Sequence, residues 1–336
     1  MLSLTRRKLI ASAAVLPFIG IAKAAEPAFR GKQLHNQPAE SHQHRFLVEL
    51  WDAVRNETGG KVDVTVFPEN NKVAGGDPAV LDMLVKGEVD FFTLNGGLVA
   101  RIVPPMDIQG LPFAFATSRQ VHEANDGAFG KYLSDECAAK GIHRFQYGLL
   151  ENGFKQISTV DTPIKTANDV IGLRIRVPAG KMFEDMYVTL EAKPVVINFN
   201  QMVAAFKEKR IDGQENPLAI TEFNKLYEHT KYVAVTNHSW AGFNLIANMA
   251  FWRKIPSELQ AVVDRNVKKY VSAQRTHVQQ LNAALEPKLK ERGMIFTQAD
   301  AESFRKKLVG EFYPRWKKQL GATAWQLLEE KVGRLG

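Results

Sequence analysis

Short apolar runs alternate along this chain with stretches of helical spacing, and that alternation restricts the fold more than any other feature. From Gln43 to Thr58 apolar residues fall at Phe46, Leu47, Leu50 and Val54, the period of an amphipathic helix, and Gly59-Gly60 stops it. Lys61 to Phe67 puts Val62, Val64 and Val66 on one face, which predicts a strand. Asp77-Pro78 reads as an N-cap followed by proline at the first helical position, opening a helix through Val80, Leu81, Leu84 and Val85 that ends at Gly87. Val89 to Leu94 is a nearly continuous apolar run, suited to a strand buried on both faces, and Asn95-Gly96-Gly97 breaks it. Helix, strand, helix, strand predicts a layered α/β architecture with crossover connections.

The pattern recurs. Leu173–Val177 is a short strand cut off by Pro178, and Met182, Phe183, Met186, Tyr187 and Leu190 mark a helix. Pro194–Ile197 is the next strand, and Asn200 caps a helix through Met202, Val203 and Phe206. Tyr232–Thr236 and Phe243–Met249 read as further strands. After Pro256, apolar residues from Leu259 to Leu285 predict a helix of about 30 residues, roughly 45 Å long. Shorter helices near 300–309 and 323–333 finish the chain. The expected fold has two α/β lobes, 25–150 and 151–250, with the helices of 251–336 packed across both. Open α/β sheets bind ligands at the carboxyl ends of their strands, so two facing sheets would enclose a cleft.

Residues 1–24 are read as an export signal outside the fold. Arg6, Arg7 and Lys8 precede an apolar stretch from Leu9 to Ala22, and Ala22-Lys23-Ala24 matches a signal-peptidase site, so cleavage is expected after Ala24. The apolar stretch is about 14 residues, short of the roughly 20 that span a bilayer. Thr5-Arg6-Arg7-Lys8-Leu9-Ile10 looks like a twin-arginine signal, with an ordinary secretory signal as the alternative. The mature protein is expected in a periplasm. Composition agrees with a globular product: 45% hydrophobic and 24% charged residues exclude a disordered chain. The chain carries 44 Lys and Arg against 36 Asp and Glu, an excess that invites a nucleic-acid reading. The excess sits in the signal and in 251–336, however, while 25–250 holds 23 basic against 27 acidic residues. Export and this distribution argue against nucleic acid. The single cysteine, Cys137, excludes intramolecular disulfides and cysteine zinc clusters, and reads as a small core residue.

No catalytic motif is present: there is no Gly-x-Ser-x-Gly, no His-Glu-x-x-His and no Gly-rich phosphate loop. His42 and His44 are the one close histidine pair; with no ligand-spaced Cys, Asp or Glu nearby they read as solvated surface groups, and no metal or cofactor is expected. Two segments stand out. Gly172-Leu173-Arg174-Ile175-Arg176-Val177-Pro178 places two arginines on one strand face, with Arg176 at the carboxyl end, where a guanidinium fork can grip a carboxylate. A surface salt bridge is the plainer reading of either arginine alone. Asp212-Gly213-Gln214-Glu215-Asn216-Pro217 holds Asn216 extended before a sharp turn, where its amide could meet an anion or serve as a structural cap.

Together with Lys193-Pro194-Val195-Val196 and Phe199, these segments resemble the DctP-type solute receptors of tripartite ATP-independent periplasmic (TRAP) transporters, a resemblance covering nearly the whole mature chain. It implies a two-lobed, type II-like periplasmic binding protein with a cleft between lobes and a long C-terminal bridging helix. It further implies that Arg176 binds a carboxylate and Asn216 hydrogen-bonds the same group. The family often places an arginine after Gly-Phe; here Gly153-Phe154 is followed by Lys155, a point charge without the bidentate fork, which weakens the case for a second clamped carboxylate. Trp240, Phe243, Asn95 and Gly96 match segments that line or face the family's pocket, and Phe199 lies beside them.

The implied protein is a monomeric receptor that delivers an organic acid to small and large integral membrane subunits for ion-gradient-driven uptake. Aromatic residues near the expected cleft favour an apolar or aromatic acid. A receptor feeding a sensor kinase and a periplasmic enzyme acting on organic acids are the alternatives.

Overall fold

The computed structural model describes residues 26–335; the predicted signal segment and its cleavage point lie outside the described residues. The first sheet forms from β1 (Phe29–His35), α1 (His42–Glu57), β2 (Val62–Phe67), α2 (Gly76–Lys86) and β3 (Phe91–Asn95), followed by the short α3 (Gly96–Val99), α4 (Ser118–Asp126), α5 (Ala128–Ala139) and β4 (Ile142–Leu150). β1 pairs parallel to both β2 and β3, as the crossover helices require. β3 carries Phe91, Phe92 and Leu94, all fully buried, which explains its nearly continuous apolar sequence. β1 itself was not predicted. Gly31 and Lys32 interrupt its pattern, and Phe91 packs so close over Gly31 that a Cβ there would stand 3.0 Å from the ring.

The chain then crosses into the second lobe. β5 (Gln156–Thr159), β6 (Arg174–Val177), α6 (Lys181–Thr189), β7 (Lys193–Val196), α7 (Met202–Lys207), β8 (Gly213–Asn216), α8 (Leu218–Phe223) and β9 (Tyr232–Val235) follow. β8, β6 and β7 are mutually parallel, while β5 runs antiparallel between β8 and β9. The Asn200 prediction is off: Asn200 lies inside a 3-10 turn, Phe199–Gln201, and caps nothing.

Two strands return to lobes that sequence order does not assign them to. β10 (Phe243–Asn248), expected within 151–250 and the second lobe, inserts antiparallel between β3 and β4 of the first sheet. The first sheet thus has the order β2-β1-β3-β10-β4. All six β10 residues are buried, a placement that a strand at the edge of the second sheet would not provide. α9 (Met249–Lys254) and α10 (Ser257–Glu291) follow, then β11 (Ile295–Gln298), which pairs parallel with β9 at the edge of the second sheet. α11 (Ala301–Val309), α12 (Phe312–Leu320) and α13 (Ala322–Val332) close the chain.

α10 is 35 residues long, about 52 Å, and packs against α1 and β4 of one lobe and α8 and β11 of the other. Among the described residues no helix is long and apolar enough to cross a membrane. Cys137 is fully buried and unpaired. His42 is not the solvated group predicted. It is 5% exposed, its ring meets Phe223 of the second lobe edge-on at 5.7 Å, and Gln274 of α10 lies beside it.

Candidate functional site

β6 and β8 lie side by side, with Arg176 opposite Gln214, so Arg176 and Asn216 leave the carboxyl ends of neighbouring parallel strands. The two arginines of β6 diverge in fate. Arg174 donates from Nε to Asp212 at 3.0 Å in a partly exposed ion pair. Arg176 is 2% exposed, and its Nε donates to the Ile197 carbonyl at 2.9 Å. That single bond fixes the plane of the guanidinium; among the described residues its terminal nitrogens make no hydrogen bond. Burial pushes the guanidinium pKa down to about 10, opposed by the charges of Glu215 and Asp77, so it remains a cation at neutral pH.

Arg176 and Asn216 line an interlobe cavity of about 50 Å³ together with Asn36, Gln37, Asp77 and Asn95 from the first lobe. The lobes are closed over it. Asn224 of the second lobe donates to Gln37 Oε1 at 3.3 Å, and Asn198 donates to the Gly75 carbonyl at 3.1 Å. A larger groove of about 680 Å³ lies on the outer side of the first lobe along β4 and α5, away from these residues.

Lys155 reaches the cavity but its charge is already engaged. Its Nζ pairs with Glu215 Oε1 and sits 3.6 Å above the Phe183 ring, while Glu215 Oε2 bonds His238 Nε2 at 2.7 Å. Burial alone would raise the Glu215 carboxyl, but Lys155 and His238 hold it below the usual carboxylate range. Burial in turn lowers Lys155, against the pull of Glu215. Loss of either partner would strand a buried charge.

Asn95, Phe199 and Phe243 also line the cavity. Asn95 spends both ends of its amide on structure: Oδ1 caps α3 by accepting from Gly97 N at 3.0 Å, and Nδ2 donates to the Gly242 carbonyl at 3.2 Å. Trp240 and Gly96 do not line it. The Trp240 indole points into the hinge, 3% exposed, and donates to Glu151 Oε1 at 2.8 Å. Its ring lies under Gly242, where a Cβ would come within 1.8 Å of it. Gly96 lies below the cavity, where a Cβ would meet Gln109 Oε1 at 2.3 Å. Of the aromatic residues near the cleft, Phe91 and Phe92 are core, which leaves Phe199 and Phe243 as the apolar wall.

Sequence reading missed Asp77, Asn36, Gln37 and Asn152 as lining residues, and Glu215 and His238 as partners of Lys155. The N-cap position predicted for Asp77 belongs to Gly75, and Asp77 lies in the first turn of α2. Its carboxylate instead accepts from Asn36 Nδ2 at 2.9 Å and Asn70 Nδ2 at 2.7 Å. Asn36 and Gln37 directly follow β1, so missing the strand meant missing the loop at its carboxyl end. His238 carries no local signal; only the fold brings it to Glu215.

A model of the DctP family, bacterial extracellular solute-binding protein family 7, matches residues 34–319. The chain belongs to the DctP family. Among relatives of this DctP-family protein, the C4-dicarboxylate-binding protein DctB of Bacillus subtilis is 26% identical over 69% of the chain and 65% of its own length. The C4-dicarboxylate-binding periplasmic protein DctP of Rhodobacter capsulatus is 27% identical over 78% of each. The chain spans 65%, 47% and 64% of the length of the first three curated relatives it matches. A TRAP periplasmic solute-binding protein from Polaromonas sp. JS666, solved with D-erythronate, superposes with a TM-score of 0.84 at 27% identity, covering 90% of this chain and 98% of that one. One from Sulfurospirillum deleyianum, solved with succinate, gives 0.82 at 23% identity over 91% and 98%, a likeness of fold.

Proposed function

We propose that this DctP-family protein is the receptor of a TRAP transporter, exported to the periplasm with its signal removed after Ala24. It captures an organic acid anion between its lobes and delivers it to the small and large membrane subunits. One observation carries this reading: a guanidinium with two unspent terminal nitrogens, buried at a strand's carboxyl end beside Asn216, in a cavity closed by both lobes. Such a fork recognises a carboxylate with two parallel hydrogen bonds. Family membership and the acids bound by the Polaromonas and Rhodobacter relatives support it. Receptor action needs only differential affinity for the closed form.

Lys155 acts as the internal counterion of Glu215 and not as a second clamp. Phe199 and Phe243 supply an apolar wall for the ligand's carbon skeleton. The test is a thermal-shift screen of the mature protein against carboxylic acids. A ligand at a hundredfold excess over Kd should stabilise by about 2.7 kcal/mol. The shift should vanish in Arg176→Ala while the fold persists; an unchanged affinity in that variant would remove Arg176 as the anchor.

A further inference from the structure

The cavity holds a second charged group whose purpose the carboxylate clamp does not explain. Asp77, at the start of α2, is 4% exposed and lines both the inner cavity and the outer groove of about 380 Å³ that leads from it to solvent. A ligand anchored on Arg176 and extending toward the mouth must pass it. Building on the carboxylate-receptor reading, we infer that Asp77 makes this cleft select monocarboxylates that carry a hydrogen-bond donor, such as a hydroxyl, away from the carboxylate, and makes it reject dicarboxylates.

Three observations point there. First, both oxygens of Asp77 accept from amides, Asn36 on Oδ2 and Asn70 on Oδ1, so the group is oriented and acts as an acceptor on both sides. A carboxylate offers about four acceptor positions, so two such bonds leave capacity for donors from a ligand. Second, the charges lining the cavity are balanced before any ligand arrives: Lys155 and Arg176 face Glu215 and Asp77. Lys155 belongs to Glu215, so Arg176 has charge to offer a single carboxylate. At the mouth, Lys72 is paired with Glu69. Burial raises the Asp77 carboxyl, while Asn70, Asn36 and the Arg176 charge pull it back. Ionised, it would meet a second ligand carboxylate as a like charge, and among the described residues that line the cavity no cation beyond Lys155 and Arg176 is left for it. Third, the chain maintains a strained conformation to hold Asp77. Glu69, Asn70, Asn71 and Lys72 are consecutive non-glycine residues at φ of 49°, 54°, 49° and 57°, a left-handed turn. Each such residue costs about 1–2 kcal/mol, and strain of this kind persists where a site over-determines it. This turn presents the Asn70 side chain, 5% exposed, to Asp77.

Calorimetric titration of the mature protein with D-erythronate, D-glycerate, succinate and glutarate tests the inference. Wild type should bind a hydroxy monocarboxylate at least about tenfold more tightly than either dicarboxylate, the discrimination expected of one hydrogen bond to a charged group. Asp77→Asn, which keeps shape and removes charge, should weaken hydroxy acids and strengthen dicarboxylates, shrinking that ratio by about tenfold. A dicarboxylate bound by wild type as tightly as the hydroxy acids overturns the inference, as does a ratio unchanged in Asp77→Asn. If that dicarboxylate is lost in Arg176→Ala, the receptor reading stands and only the role of Asp77 falls. If none of the four acids binds wild type, the selectivity assigned to Asp77 falls, and the broader carboxylic acid screen decides the receptor reading. A wild-type dicarboxylate affinity equal to that for the hydroxy acids overturns the inference even should the variant misfold.

Discussion

Lys155 and Glu215 illustrate how a buried pair stabilises only as a pair. Glu215→Leu should strand the Lys155 ammonium beneath Phe183 and cost about 3–5 kcal/mol, read as a large drop in Tm. The double variant Lys155→Met/Glu215→Leu should recover much of that loss, because neither charge then needs a partner. Urea unfolding of the two single variants and the double provides the coupling energy directly. Arg176 behaves differently, since its terminal nitrogens wait for an external partner. Arg176→Lys should keep the charge, lose the fork, and weaken carboxylate binding by about ten- to hundredfold with little change in Tm. Arg176, on a strand face, and Asn216, before a proline, are legible from their own runs and line the cavity, whereas Lys155 is legible only through the resemblance and is paired with Glu215. Trp240 misled. The resemblance of its segment to the family's pocket lining pointed to the cavity, but an indole N–H needs a buried acceptor, and Glu151 in the hinge supplies one.

The secondary elements were legible where their period was clean. α1, α2, β3 and α10 lie close to their predicted spans, whereas β1 was hidden by Gly31 and the polar residues around it. The pairing of β10 was not legible, because strand order depends on long-range partners that alternation does not encode. The junction of β1 and α1 has a consequence for acid stability. His35 Nδ1 accepts the Gln37 amide at 3.3 Å, so His35 carries its proton on Nε2 and donates to His44 Nδ1 at 2.9 Å. Burial pushes His35 down to about 3, helped by His44, and pushes His42 down to about 3, helped by His277 and Arg45. Both are therefore neutral in the fold, while in the unfolded chain they bind protons from about pH 6.5 downward. Their contribution is fully present above pH 6.5 and is lost as pH falls toward 3, by about 2 kcal/mol for each histidine at pH 5. Urea unfolding at pH 7.5 and pH 5 should show this loss, and it should flatten in the variant His35→Gln/His42→Gln. An equal slope in that variant would assign the acid sensitivity to carboxylates.

Closure of the two lobes depends on three crossings that converge on Glu151. The Glu151 carbonyl and N–H both bond the Gln274 side chain of α10, at 2.7 and 2.8 Å, and its carboxylate takes the Trp240 indole from the return crossing. Beside it, Gly153 holds φ at 112°, a conformation that side chains disfavour, with Asn282 of α10 against it. Gly153→Ala should therefore disturb the hinge and change the compaction on ligand addition seen by small-angle scattering more than it changes Tm.

The returning strands also set the order in which the protein can be completed. The first sheet lacks its strand between β3 and β4 until residue 248 exists, and β9 lacks its edge partner until residue 298 exists. Neither lobe is a contiguous length of chain, so neither can be finished while most of the polypeptide is still being made. A nascent chain shorter than about 250 residues would present β3 and β4 with unpaired edges, the condition that favours aggregation. A C-terminal truncation before β11 should yield an insoluble product, not a smaller receptor.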